Sequence, residues 1–156
     1  MPTIRRIRHH DKQKFFERII ETSCQDLLDD QRKRFTPADI TPNIKHIVPL
    51  LMEQGENLIL IADLPDLPNA GQIWLGEARD PYTGEIRGYI YDLFVEPEAR
   101  HKGVGQALMQ AVEEASRKRG HKTLALTVAA HNDNALILYR SFGFETERLT
   151  LSKSVL

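Results

Sequence analysis

Hydrophobic positions along the chain repeat with two periods, one typical of helices and one typical of strands. Apolar residues at steps of three and four predict a helix over Gly103–Arg119, with Gly120 as the residue that ends it. The same pattern predicts further helices over Asp11–Asp29, Thr41–Leu51 and Asp133–Phe142. Alternating or short apolar runs predict strands over Thr3–Arg8, Asn57–Ala62, Gln72–Arg79, Glu85–Val95, Lys122–Val128 and Glu145–Lys153.

Turn and loop residues set the connections between these elements. Asp80–Gly84 has turn chemistry and should join its two flanking strands into an antiparallel hairpin. Asp29–Thr41 is polar and interrupted by Pro37, so it is predicted as a loop or a short helical turn. Asp63–Gly71 contains two prolines and a glycine and is predicted as a loop. The order of elements predicts a single α+β domain over residues 1–156, with a mixed, mostly antiparallel sheet flanked by about four helices in three layers.

The charge of the chain is nearly balanced, which narrows the classes of partner. The 156 residues carry a net charge of -1, so no nucleic-acid or membrane partner is expected. A single cysteine, Cys24, excludes an internal disulfide. The charged N-terminus lacks the apolar core of a signal peptide, and no apolar run is long enough to span a membrane. These features favour a cytoplasmic protein.

The segment Val95–Gln106 combines the end of a strand, a basic loop and the start of a helix. The first N–H groups of a helix have no partner within it, and the helix dipole adds positive charge there. Glycines at the helix start let an anion approach the backbone closely. The segment therefore predicts a phosphate or pyrophosphate site. Its residues are Arg100, His101, Lys102, Gly103, Val104, Gly105 and Gln106.

Two familiar phosphate motifs fit this segment poorly. A Walker loop, G-x-x-x-x-G-K-[ST], is absent. A dinucleotide fingerprint needs a small residue where Leu108 stands and glycines directly after the strand, whereas Glu96–Lys102 intervene. The segment by itself therefore predicts only a phosphate-bearing ligand.

A second motif lies one helix and one strand downstream. Its pattern, N-x-x-A-x-x-x-Y followed by GF, is formed by Asn132, Ala135, Tyr139, Gly143 and Phe144. With both motifs in this order, the chain over roughly residues 85–144 resembles the GNAT superfamily of acetyl-CoA-dependent N-acetyltransferases. The family's Q/R-x-x-G-x-G/A loop matches Arg100–Gly105, whereas the N-terminal third of the chain is generic.

The resemblance implies acetyl-CoA as the co-substrate and no metal. It also implies a sheet that splays open after the strand ending at Val95, where the thioester enters. The pyrophosphate would lie on the N–H groups from His101 to Gln106, and Asn132 matches a position that contacts the cofactor arm, with Asn134 as a substitute or helper. The backbone implied to pair with the pantetheine arm is that of Leu93, Phe94 and Val95.

The resemblance further implies that an amine attacks the thioester directly, which requires a base, an oxyanion donor and an acid. The Val95 N–H is the family's oxyanion donor, and Tyr139 stands where the family places the acid that protonates the leaving thiolate. Asp92 is the first candidate for the base and Glu77 the second. Some members use a Glu at the position of Thr127, and a threonine cannot do that work.

The expected function is transfer of an acetyl group from acetyl-CoA to a primary amine in a ternary complex. The acceptor is a small-molecule or peptide amine. Two alternatives stay open, namely a CoA-binding regulatory module without turnover and the use of another donor such as succinyl-CoA. A homodimer is plausible, because the C-terminal segment Leu149–Val155 could pair with, or swap into, a second copy.

Overall fold

The chain folds around one five-stranded sheet in which the strands lie side by side in sequence order. The computed structural model describes all 156 residues. Each adjacent pair among the first four strands is antiparallel, and the fifth strand runs parallel to the fourth. The strands are β1 (Thr3–Arg6), β2 (Leu58–Leu64), β3 (Leu67–Arg79), β4 (Ile86–Val95) and β5 (Leu124–Leu126).

Helices cover both faces of the sheet and give three layers. The helices are α1 (Lys12–Gln25), α2 (Asp29–Arg34), α3 (Pro37–Met52), α4 (Val104–Lys118) and α5 (Asp133–Ser141). On one face Phe15 of α1 and Val48 of α3 pack against Trp74. On the other face Leu108 and Val112 of α4 pack against the sheet. The predicted fold class, a mostly antiparallel mixed sheet between helical layers, is confirmed.

Strand β3 lies at the centre because both of its faces are buried. Ile73 and Leu75 face α4, whereas Gln72 and Trp74 face α1, and none of the four is more than 1% exposed. A strand buried on both faces belongs in the interior of a sheet rather than at its edge. With β3 in the interior, β4 pairs with β3 along one edge, and its other edge borders the cleft described below.

The sheet splays open between β4 and β5. The two strands pair only from Gly88–Leu124 to Ile90–Leu126, whereas β4 continues to Val95. The N–H of Glu96 is donated to the carbonyl of Ala70 on β3, at 2.8 Å. Because the direction of the N–H groups alternates along a strand, those of Leu93 and Val95 point away from β3, towards the opening. Phe94 has the opposite orientation and faces β3.

A β-bulge in β4 lies at the opening. Trp74 pairs with Asp92 but Leu75 pairs with Ile90, so Tyr91 is the extra residue. A bulge bends its strand and redirects the adjacent side chains. The Tyr91 ring consequently stacks on Trp74, with 4.8 Å between ring centroids, and Asp92 is held on the same face by Gln72.

Three expected connections differ from the structure. Residues 29–34 form α2, stabilised by the Arg34–Asp30 pair at 2.9 Å. Helix α3 begins at Pro37 rather than at Thr41, because Thr36 precedes it and donates its backbone N–H to Asp39. Asp63–Gly71 was predicted as a loop, but β2 and β3 extend into it, and only Pro65 and Asp66 form the turn between them, with Leu64 paired to Leu67.

The C-terminal segment Glu145–Lys153 was predicted as a strand and forms none. Leu149 and Leu151 alternate as a strand would, yet they are 76% and 88% exposed, so no sheet face buries them. Glu147 and Arg148 instead hold the segment on the β3–β4 hairpin, with the Glu147 carboxylate 2.6 Å from Arg87. Pairing with a second copy stays a prediction. None of the five α-helices is both long and apolar enough to cross a membrane.

Candidate active site

A cleft of about 700 Å³ lies at the opening between β4 and β5. Its walls are the free edge of β4, the start of α4, the connection from β5 into α5, and the C-terminal end of α1. The cleft brings together most of the residues singled out from the sequence. They are Asp92, Leu93, Val95, Arg100, His101, Gly103, Val104, Gly105, Gln106, Asn132, Asn134 and Tyr139.

The start of α4 forms one end of the cleft and has free N–H donors. The backbone N–H groups of His101, Lys102 and Gly103 have no partner within the chain, and those of the first residues of α4 have none within the helix. Gly103 is the N-cap, with φ of 79°, a left-handed conformation that favours glycine. Together with Arg100, these donors can hold a pyrophosphate.

Gly105 lines the cleft, as expected, and also allows close helix packing. A Cβ at this position would lie 3.3 Å from Leu138 of α5, so the glycine lets α5 pack closely against the start of α4. Two other predicted residues do not line the cleft. Lys102 is exposed outside it, and the Phe94 ring packs under the Arg18 guanidinium on the α1 face, at 5.0 Å.

The free edge of β4 supplies unpaired backbone donors, and α5 supplies polar side chains. The N–H groups of Leu93 and Val95 point into the opening, as the strand alternation requires. Asn132 is the N-cap of α5 and accepts a hydrogen bond from the Ala135 N–H at 3.2 Å. The N-x-x-A step of the downstream motif is therefore a helix cap, which positions Asn134 and Tyr139 on the cleft wall.

Tyr139 places a buried hydroxyl in the cleft. The residue is 9% exposed, and neither a side chain nor a backbone group of the chain hydrogen-bonds its hydroxyl. Burial raises the pKa of Tyr139, and the negative charges of Asp92 and Asp26 raise it further. The hydroxyl therefore stays protonated at neutral pH and is available as a donor.

Asp92 is a buried carboxylate held by a polar network. Gln72 donates from its Nε2 to Asp92 Oδ2 at 2.8 Å and accepts from Arg18 Nη1 at 3.2 Å. The Arg18 charge is in turn paired with Glu96 at 2.7 Å. Burial raises the pKa of Asp92 to about 6, although the Gln72 hydrogen bond and Arg18 oppose that shift. A carboxylate with such a pKa accepts protons more readily than an exposed one and is still ionised at neutral pH.

Glu77, the second candidate for the base, lies outside the cleft. Its carboxylate contacts His121 Nε2 at 2.7 Å and accepts the Glu56 N–H at 2.8 Å. These two hydrogen bonds hold the pKa of Glu77 below its usual range. His121 is buried between Glu77 and Ser116, whose hydroxyl lies 2.7 Å from Nδ1. Glu77 therefore has a structural partner and no access to the cleft.

The residues that sequence reasoning missed lie on α1. Thr22, Gln25 and Asp26 line the cleft, and Arg18 belongs to the Asp92 network. The spacing of Arg18, Thr22 and Asp26 is four residues, which places them on one face of the helix. This polar stripe on an amphipathic helix could have indicated from the sequence that α1 borders the cleft.

The chain has no group of three or more His, Cys, Asp or Glu side chains positioned to hold a metal ion.

Thr127 lines the cleft, and its hydroxyl hydrogen-bonds the Tyr89 hydroxyl. Thr127 carries no charge. The buried carboxylate that the sheet presents to the cleft is that of Asp92.

The family to which the chain belongs follows from comparison with known proteins. Residues 24–144 match the model of the acetyltransferase (GNAT) family. The chain therefore belongs to the GNAT family of acetyltransferases, which use acetyl-CoA as their donor, and the predicted family and enzyme class are confirmed.

Curated relatives match the central part of the chain. The chain is 32% identical over 82 residues to an uncharacterised N-acetyltransferase of Bacillus subtilis, YdgE, which is 53% of this chain and 52% of that protein. It is 38% identical over 55 residues to the ribosomal protein bS18 alanine N-acetyltransferase of Escherichia coli, covering 35% and 37% of the two chains. The chain thus spans about half the length, or less, of these curated relatives.

Solved structures match over the whole chain. A candidate acetyl transferase from Pyrococcus furiosus superposes with a TM-score of 0.82 at 24% identity, covering 99% of this chain and 100% of that one. The Bacillus subtilis protein YycN superposes with a TM-score of 0.76 at 21% identity, covering 100% and 99%. Similarity at this level of identity shows the shared fold.

The burial of Asp92 predicts a stability effect with a definite dependence on pH. Its folded-state pKa of about 6 lies above the ordinary value of 3.8, so the ionised carboxylate destabilises the fold at neutral pH, on the order of 2–3 kcal/mol. Asp92→Asn should therefore raise the Tm at pH 8. The gain should shrink as the pH falls through about 6, because the protonated wild-type carboxyl no longer incurs this cost.

Thermal unfolding followed by circular dichroism between pH 4 and pH 8 measures this effect. Glu77→Gln is the matched control, because its carboxylate has a lowered pKa and its loss should lower the Tm at neutral pH. An Asp92→Asn variant less stable than the wild type at pH 8 would contradict the burial account.

Proposed function

We propose that the chain transfers an acetyl group from acetyl-CoA to a primary amine by direct attack in a ternary complex. One observation carries the proposal. A single cleft contains the free N–H donors at the start of α4, the unpaired edge of β4, a buried carboxylate at Asp92 and an unpartnered hydroxyl at Tyr139. These are an anion site, a backbone edge, a base and an acid, in one connected space.

The residues that would hold the donor fit a nucleotide-linked chain. The N–H groups from His101 to Gln106 would bind the pyrophosphate, since they have no partner of their own and Gly103 keeps the approach open. The N–H groups of Leu93 and Val95 would hydrogen-bond the amides of the pantetheine arm, as another strand would. When bound, acetyl-CoA supplies an activated acetyl group and a thiolate leaving group.

Asp92 is proposed as the general base. An ammonium has no lone pair with which to attack, so one proton must leave before the nitrogen reacts. The Asp92 carboxylate, with a pKa of about 6, is ionised at neutral pH and can take that proton and pass it to solvent. Gln72 holds Asp92 Oδ2 at 2.8 Å, which keeps the carboxylate in place.

The Val95 N–H and Tyr139 complete the proposed reaction. The Val95 N–H points into the opening and would stabilise the oxyanion that develops on the acetyl carbonyl. Tyr139 would donate its proton to the sulfur as the carbon–sulfur bond breaks. The second proton lost by the nitrogen would restore the tyrosine hydroxyl, so the products are the amide, CoA thiol and one proton.

A single unpaired cysteine, Cys24, is consistent with a cytoplasmic location.

Binding and turnover with the intact chain test the proposal. Acetyl-CoA should raise the Tm in a concentration-dependent way, because it binds the folded state. CoA release, followed by chromatography across a panel of amines, should lose activity as the pH falls through about 6. Asp92→Asn should reduce kcat by about 10²- to 10⁴-fold.

Glu77→Gln is the control for that experiment. Its kcat should stay within about twofold of the wild-type value, and its activity should fall over the same pH range. No shift of Tm at saturating acetyl-CoA would refute the proposal. Binding without CoA release from any amine would point to a regulatory module instead, and equal release from succinyl-CoA would broaden the donor.

Tyr139→Phe tests the proposed acid separately from the fold. The substitution removes only the hydroxyl, which makes no hydrogen bond within the chain, so the Tm should hold. We expect kcat to fall by at least about tenfold because the thiolate must leave unprotonated. The affinity for acetyl-CoA, measured by calorimetry, should change little. Unchanged turnover would remove the acid role.

A further inference from the structure

The two ends of the cleft have opposite electrostatic character. At one end the start of α4 presents free N–H groups and Arg100. At the other end α1 finishes with Gln25, and Asp26 is its C-cap. A helix C-terminus carries partial negative charge, which adds to that of a carboxylate. The end beside α1 therefore favours a cation, whereas the end beside α4 favours an anion.

Asp26 is a poorly compensated carboxylate in this wall. It is only partly exposed and lines the cleft, and no side chain hydrogen-bonds or pairs with it within the chain. The last turn of α1 contains no basic residue. A carboxylate at a helix C-terminus is unfavourable because it meets the negative end of the helix dipole, so the position of Asp26 is not explained by the stability of α1.

Two cations, Arg32 and His131, lie near enough to oppose the rise in the pKa of Asp26 that burial causes, but neither forms an ion pair with it. Arg32 donates to the Gln25 carbonyl, and His131 contacts the same carbonyl at 3.1 Å. Arg18 is paired with Glu96 at 2.7 Å. The acceptor side of the cleft therefore holds two carboxylates, Asp26 and Asp92, and neither has a cation paired directly with it.

A second observation points to a ligand in this part of the cleft. Tyr139 as a residue is nine-tenths buried and lines the cleft, and its hydroxyl has no partner within the chain. Such a hydroxyl is free to donate a hydrogen bond to a ligand. Asp26 and Asp92 line the same cleft as Tyr139, and their negative charges raise the pKa of its hydroxyl.

We propose that Asp26 binds a second positive charge on the acceptor, so that the acceptor is a small aliphatic diamine or polyamine rather than a monoamine. Asp92 receives the ammonium that reacts, and Asp26 pairs with the distal ammonium. This inference rests on the proposed acetyltransferase activity and specifies its substrate class. Acceptors bearing a carboxylate or phosphate near the amine are disfavoured by the same two charges.

A contact between α1 and the connection into α5 borders the acceptor side of the cleft. His131, from the connection into α5, contacts the Gln25 carbonyl of α1 at 3.1 Å. Both residues line the cleft, so their contact ties two of its walls together on the acceptor side.

Steady-state kinetics with matched amines test the proposal on the intact chain. The pairs are 1,4-diaminobutane with 1-aminobutane and 1,5-diaminopentane with 1-aminopentane, which differ only in the distal ammonium. We expect kcat/KM to be at least about tenfold higher for each diamine, as a charge-assisted pair requires. A lysine-containing peptide serves as the third arm, and a higher kcat/KM for the peptide would overturn the small-molecule assignment.

Asp26→Asn separates a specific contact from a general effect. The variant should raise the KM for the diamines about tenfold and leave kcat, and both constants for the monoamines, within about twofold. Its Tm should not fall, because the lost charge was unfavourable at the helix end. Glu21→Gln is the matched control, since Glu21 is exposed on the same helix and does not line the cleft.

The outcomes distinguish this inference from the activity on which it rests. Equal kcat/KM for diamines and monoamines, or an equal loss for both in Asp26→Asn, overturns the diamine proposal and leaves the acetyltransferase activity intact. Acetyl-CoA binding without CoA release from any amine refutes the activity, and the inference fails with it.

Discussion

The ladder between β4 and β5 ends at the pair Ile90–Leu126, while β4 continues to Val95. An unpaired strand edge in an apolar setting is costly, and proteins generally cover or pair such edges. Here the edge lies inside a cleft between α1, α4 and α5, where a ligand with amide groups can complete the ladder. The same separation opens the space into which Asp92 and Tyr139 are directed. The candidate active site depends on this one interruption of strand pairing.

A polar network behind Asp92 holds its carboxylate at the opening between β4 and β5. A carboxylate buried against an aromatic layer would be costly unless hydrogen-bonded. Gln72 supplies that hydrogen bond and is itself held by Arg18 and the Phe15 carbonyl. Because the network stops short of a direct ion pair with Asp92, the carboxylate keeps a raised pKa. A bidentate arginine in its place would have lowered the pKa and made Asp92 a weaker base.

Local patterns in the sequence were enough for the parts of the fold that depend on local physics. The apolar steps of α4, the turn at Asp80–Gly84 and the glycine that ends α4, Gly120, all appear in the structure as expected. The start of α3 was misjudged because Pro42 resembles a first helical residue, whereas the Thr36–Asp39 cap fixes the true start. The strand expected at the C-terminus does not form. Alternating apolar residues are buried in a strand only where a sheet face is available to cover them.

The candidate site was predictable where a motif sits on one element and was missed where it depends on tertiary contacts. The anion site at Gly103 and the helix cap at Asn132 are local. Glu77 and Asp92 are both acidic strand residues, and only the bulge at Tyr91 and the partner at His121 decide which one reaches the cleft. Asp26 needed the position of α1, which is set by the packing of Phe15 against Trp74.

Hydrogen–deuterium exchange with and without CoA tests most directly whether the free edge of β4 is a ligand-binding strand. The account predicts that CoA slows exchange at the amides of Leu93 and Val95 and in the loop from His101 to Gln106. The amides of β2 should exchange at an unchanged rate, since β2 is already paired on both sides. If CoA binds and the β4 amides exchange as fast as before, the open edge is not the binding surface and the account is wrong.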